Sequence, residues 1–216
     1  LSESGGRFDC LNLNTDRCGL SFGIIQWAQR PGRLHEILAA FRAEAPDTLE
    51  EIVGGAAEVE SLLAHTARTN GGVNRATGET LDPRFDLVRE PWAGRFRAMG
   101  RNRRLQAVQV RTAMEAFRTS LERLKREAKG ITSQRGYAFL LDLANQHGNA
   151  GALAIYRAVV KPGMGEEEIL AAMEKESVRR VAAQYGKTSA EATSTASRRE
   201  LFRTMPWLSD SGVEVA

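Results

Sequence analysis

The chain has 216 residues, 42% of them hydrophobic and 6% aromatic, and its 30 basic and 27 acidic residues leave a formal charge of +3. That length fills one core or two lobes that share a cleft, and no stretch reaches the roughly 18 apolar residues of a membrane span. The isoelectric point near 9.1 gives only a mild preference for anionic partners such as nucleic acid, a wall polymer or a membrane surface.

Ala, Leu, Arg and Glu recur in long runs without proline, so the fold class expected is mainly α. Residues 1–31 are rich in Gly, Asn and Asp and then turn apolar at Leu20-Ser-Phe-Gly-Ile-Ile-Gln-Trp27. They read as a loop followed by a short strand-like or tightly turned segment near residues 20–27. After Pro31-Gly32, the spacing of Leu34, Ile37, Leu38 and Phe41 predicts a helix over 33–45. Asp47 is expected to cap a short helix ending at Gly54, and a third runs over 56–68 with Val59, Leu62 and Leu63 inward. Asn-Gly-Gly, Thr-Gly and Asp-Pro signals predict a long loop over 69–91, of the kind that often faces substrate.

A short helix over 92–99 and the longest helix, over 103–128, follow. Arg118, Arg123, Lys125 and Arg126 alternate there with Glu115, Glu122 and Glu127, the pattern of a solvated helix face rather than a nucleic-acid patch. Thr132 or Ser133 is expected to cap a buried helix over 137–147, followed by helices over 150–160, 166–185 and 189–203, with an irregular tail after Pro206. One domain over 1–216 is expected. The start at Leu1, with the candidate motif following at once, reads as a fragment or processed form of a longer protein.

Cys10 and Cys18 allow either a small disulfide loop in an exported product or two unpaired thiols. With no third or fourth ligand nearby they make no zinc site. Asn12-x-Asn14-x-Asp16 is similar to the first half of a calcium loop. Arg17, however, stands at the glycine position and Gly23 at the closing glutamate, so neither a metal nor a cofactor is expected. His147 reads as a core or capping histidine rather than a base. Trp27 and Trp92 read equally as sugar platforms or core anchors.

Cleavage of a glycosidic bond needs a protonated carboxyl beside the leaving oxygen, usually with a second carboxylate. Near the N-terminus the candidates are Glu3, Asp9 and Asp16. Glu3-Ser4-Gly5-Gly6 places an acid among small residues that let a sugar chain approach the backbone, ahead of Gly19-Leu-Ser-Phe-Gly-Ile-Ile-Gln-Trp27. This pairing resembles the lysozyme-like superfamily, in which goose-type lysozymes and lytic transglycosylases carry Glu-Ser, a loop, and then a Ser/Gly-aromatic-Gly-apolar-apolar-Gln segment. The resemblance implies a two-lobed, mainly α fold around a substrate cleft, with Glu3 as the catalytic acid. Asp16-Arg17 stands where goose-type lysozymes place an Asp-Arg thought to help activate water. Ser21, Phe22, Gly23, Gln26 and Trp27 fall on the segment that lines the sugar site.

Chitosanases of the same superfamily are similar over more of the chain. They share the Gly-Ile-Ile run, the Gly before an apolar helix, the helix ending in His147-Gly148, and an Arg-rich helix compared with Ser197-Arg198-Arg199. A cation at Arg33 disfavours polycationic chitosan and favours an acetylated or anionic glycan. The activity expected is therefore that of a secreted or periplasmic muramidase that degrades cell-wall peptidoglycan. The alternatives are a lytic transglycosylase, a chitosanase-like glycosidase, a non-catalytic wall-binding module and a helical adaptor. The expected partners are peptidoglycan glycan strands, with an immunity or inhibitor protein if the chain is an antibacterial secreted effector.

Overall fold

A computed structural model describes residues 6–206 and 208–211. Among them are eight α-helices and one small antiparallel sheet of order β1-β2-β3, so the mainly α expectation holds. The chain forms two compact units whose boundary falls between Glu115 and Ala116, inside helix α5.

In the first unit, β1 (Leu11–Leu13), β2 (Leu20–Phe22) and β3 (Trp27–Ala28) precede α1 (Arg33–Glu44), α2 (Pro46–Val53), α3 (Ala56–Thr66) and α4 (Trp92–Arg101); α5 is Arg103–Glu127. The α1 residues Leu34, Ile37, Leu38 and Phe41 are all buried, as their one-face spacing requires. Asp47 is not the cap of α2. Ala45 occupies that position, Pro46 opens the helix, and no side chain caps it, because proline at the first helical position already removes one orphan N–H. Asp47 instead lies in the first turn, where its charge complements the helix dipole.

β1 lies inside the stretch that reads as loop, pairing Leu11 with Phe22, Asn12 with Ser21 and Leu13 with Leu20. The loop over 69–91 holds two 3-10 turns, Thr69–Gly72 and Pro83–Phe85, and a single bridge between Val73 and Thr80.

His65 of α3 is 1% exposed, stacked on Phe85 at 4.7 Å, and neither ring nitrogen has a hydrogen-bond partner. Burial, and then the charge of Arg68, hold its pKa below the ordinary 6.5 against an opposing pull from Asp82. Such an imidazole takes up its proton more readily in the unfolded chain, so the stability present at neutral pH is lost as pH falls below about 6.5. A His65→Leu variant should therefore show a shallower acid-side decline in its urea midpoint than wild type. Equal slopes would mean that His65 contributes nothing to acid lability.

The second unit holds α6 (Gln134–Val159), α7 (Glu166–Tyr185) and α8 (Ala190–Thr204). The α6 span is interrupted at Gly148, whose φ of 70° lies outside the helical region. Leu124, Phe139, Leu140, Leu143, Leu153 and Met173 form part of its core. Ser133 caps α6, its Oγ accepting the Gly136 N–H at 2.9 Å and donating to Glu166 of α7 at 2.6 Å. The Arg135 guanidinium donates to the carbonyls of Phe202, Arg203, Met205 and Leu208. That arrangement satisfies the open end of α8 and fixes the start of the irregular tail.

Candidate active site

The β1–β2 turn carries Asp16. Asn12 Oδ1 accepts from both the backbone N–H and the hydroxyl of Thr15, at 2.9 and 2.8 Å. Asn14 and Arg17 adopt positive φ, which orders the turn around Asp16. The Asp16 carboxylate is exposed, and one of its oxygens accepts the Cys18 N–H at 3.1 Å. Asp16 is thus an Asx-turn residue that still presents an acid to solvent.

Side chains alternate along β2. Leu20 and Phe22 are fully buried, Phe22 packing edge-on against Phe41 and Phe96. Ser21 points to the opposite face, in one row with Asn12 and Ala28. Trp27, opposite Phe22, is 1% exposed. Of the predicted sugar-lining residues, Phe22 and Trp27 therefore support the sheet from beneath, Ser21 lies on the Asn12 face but is only 3% exposed, and Gly23 is buried, which leaves Gln26 half-buried. Gln26, at φ 54°, donates to the carbonyls of Cys10 and Gly23 at 3.2 and 2.9 Å and pins the β2–β3 turn. Trp92 is also a core anchor, its indole N–H donating to the Arg84 carbonyl at 2.7 Å.

Both ends of β2 are held alike. Gly19 and Gly23 flank the strand with φ of 71° and 81°. A Cβ on them would come within 2.6 Å of Gln29 Oε1 and 2.5 Å of Gln109 Oε1. Each of these buried glutamines accepts the amide hydrogen that follows its glycine, Leu20 N–H on Gln29 and Ile24 N–H on Gln109, both at 3.1 Å. The other end of Gln29 donates to the Gly71 carbonyl at 2.8 Å and that of Gln109 to the Phe8 carbonyl at 3.1 Å. A glutamine inside an amphipathic helix reads as solvated, so no sequence signal marks Gln109.

Glu3 lies outside the described residues. Asp9, another candidate acid, takes hydrogen bonds from Arg101 and Arg7 at 3.1–3.2 Å. Burial pushes its pKa up, but these arginines outweigh that and hold it below the ordinary range. It is a carboxylate anchor, unsuited to donate a proton. Cys10 and Cys18 are free thiols. Cys10 lies beside Gly23 and Cys18 beside Arg30, at opposite ends of β2 and on the order of 10 Å apart, beyond the span of a disulfide. His147 bonds Ser177 Oγ at 3.2 Å through Nε2, and burial and then Arg180 and Arg198 lower its pKa.

A groove of about 630 Å³ flanks the β1–β2 turn, lined in part by Leu13, Asn14, Glu79, Thr80, Asp86 and Arg89. Asn14 donates to the Thr77 carbonyl at 3.0 Å, so the 69–91 loop braces the turn that carries Asp16 and supplies one wall of the groove. No group of three or more His, Cys, Asp or Glu among the described residues is placed to hold a metal ion.

No protein-family model and no curated protein matches the sequence. Two solved structures are similar, both of chitosanase from Bacillus subtilis. One is a glutamate-to-alanine mutant complexed with 6 GlcN, 14% identical, with a TM-score of 0.65 over 92% of this chain and 80% of that one. The other is the native enzyme, also 14% identical, with a TM-score of 0.64 over 92% of this chain and 79% of that one. At this identity the likeness is one of fold, and the chain has the mainly α, lysozyme-like fold in which these chitosanases are built.

Proposed function

We propose that the chain is a glycoside hydrolase, specifically a muramidase that cleaves the β-1,4 bond between N-acetylmuramic acid and N-acetylglucosamine in peptidoglycan, outside the cytoplasm. The observation that carries this reading is the shared fold over 92% of the chain, together with the exposed Asp16 carboxylate on an ordered turn of the sheet. Glu3 protonates the glycosidic oxygen as the bond from C1 to that oxygen breaks. Asp16 takes a proton from water, whose oxygen bonds to C1 from the opposite face. Gln26, half-buried in the β2–β3 turn, shapes the sugar-facing surface, and the buried Ser21, Phe22, Gly23 and Trp27 hold it in place.

A second reading, chitosanase-like cleavage of a glucosamine polymer, is favoured by the 6 GlcN in one of the similar structures. Mass spectrometry of soluble products from purified peptidoglycan and from chitosan, with wild type and Glu3→Gln, separates the two. Reducing-end muropeptides that fall by about 100-fold or more in the variant are expected. Glucosamine oligomers from chitosan alone would favour the second reading, and anhydro-muropeptides would indicate a lytic transglycosylase. Wall binding without products from any glycan would leave a binding module.

A further inference from the structure

The segment that follows Glu3 is fastened to the rest of the first unit at successive residues. Phe8 gives its carbonyl to Gln109, Asp9 is paired with Arg101, and Cys10 gives its carbonyl to Gly23 N–H at 3.0 Å. These fastenings differ in quality. Arg101 is 70% exposed in its ion pair, and such a surface pair is weak and screened by salt. Gln109 is 0% exposed, so water does not compete for either end of its amide. It also joins two segments at once, because its oxygen accepts from Ile24 on the β2–β3 turn and its nitrogen donates to Phe8, five positions after Glu3.

We infer that Gln109 is a positioning residue, whose two-ended amide bridge sets Phe8, in the stretch that follows the proposed catalytic acid, against the β2–β3 turn. This rests on the reading of Glu3 as the acid. Gln109 donates through Nε2 and accepts through Oε1, so its two bonds can be separated by substitution. In Gln109→Glu an ionised carboxylate still accepts from Ile24 N–H but turns a lone pair toward the Phe8 carbonyl. When protonated, the same carboxyl donates to Phe8 again. In Gln109→Met both bonds are lost at every pH.

The test combines hydrogen exchange at the Ile24 amide with turnover of the glycan that wild type cleaves, each expressed relative to wild type at pH 5 and pH 8. In Gln109→Glu the Ile24 amide should stay protected while kcat at pH 8 falls by about 10- to 100-fold with little change in KM. Burial raises the pKa of the introduced carboxyl, so activity should recover as the medium is acidified toward roughly pH 5. Gln109→Met should lose Ile24 protection and show no recovery. Turnover of Gln109→Glu within about twofold of wild type at both pH values, or an equal loss at both, overturns the inference while leaving the glycosidase reading intact. If wild type releases no product from any glycan, that reading fails and the role in turnover fails with it, whatever the exchange at Ile24.

Discussion

Replacing Asp142 by alanine should cost the second compact unit about 3–5 kcal/mol, enough to leave it largely unfolded near 37 °C. Asp142 sits on α6 with its side chain 5% exposed and pairs with Arg199 of α8, whose side chain is 0% exposed; Arg198 approaches the same carboxylate oxygen at 3.5 Å. Arg199 also donates to Gln146 and to Ser177, the latter at 3.4 Å, and lies over the Phe139 ring at 5.8 Å from its centroid. A guanidinium so deeply placed is tolerated because a carboxylate offsets its charge and polar groups share its hydrogens. Removing Asp142 takes away a buried carboxylate that offsets that charge.

The loss should therefore be read from urea unfolding of the Asp142→Ala variant, and it should shrink when Arg199 is replaced in the same chain. The double variant Asp142→Leu/Arg199→Met, which buries apolar groups of similar size, should be more stable than Asp142→Ala. If Asp142→Ala costs less than about 1 kcal/mol, the pair is solvated in solution, because exposed pairs have that small value.

The helices were legible because their evidence is repeated. Leu34, Ile37, Leu38 and Phe41 state the same face four times, and Gly54 marks the end of α2. The interruption at Gly148 also agrees with a reading that separates 137–147 from 150–160. The sheet was only half legible. Its strands have two or three residues each, too few for alternation to accumulate, and Asn12 gives β1 the composition of a loop. Within β2, the order Leu20-Ser21-Phe22 does carry a period of two, which assigns Ser21 and Phe22 to opposite faces. Reading the whole motif as sugar-lining overlooked that alternation.

Partners distant in sequence were not legible at all. Gln109 is 101 residues from Phe8 and 85 from Ile24, and Asp9 is 92 from Arg101. Nothing local tells such an amide from one facing water, since only the fold makes it dry. The free thiols follow from the same limit. Eight positions in sequence suggested proximity, yet an intervening hairpin sends Cys10 and Cys18 to opposite ends of β2.

Asp16→Asn should lower turnover of purified peptidoglycan by about 10²- to 10⁴-fold, the usual contribution of a general base, while leaving the fold intact. The structure makes the substitution a clean one. The bond that orders the turn needs an acceptor for the Cys18 N–H, and an asparagine carbonyl oxygen supplies it. The carboxylate is exposed, so losing its charge leaves no buried partner stranded. A change in activity therefore reports on chemistry, and an unchanged melting temperature would verify that the turn is preserved. The same variant separates two mechanisms. A hydrolase must deprotonate water, and loses that step when the carboxylate becomes an amide. In a lytic transglycosylase the muramyl hydroxyl attacks its own C1 and no second carboxylate takes part, so Asp16→Asn would retain activity and release anhydro products. An inactive Glu3→Gln beside a fully active, reducing-end-producing Asp16→Asn would contradict both the role of Asp16 as base and the transglycosylase mechanism, and would direct the search for the water-activating base to Glu79 and Asp86 of the adjacent groove.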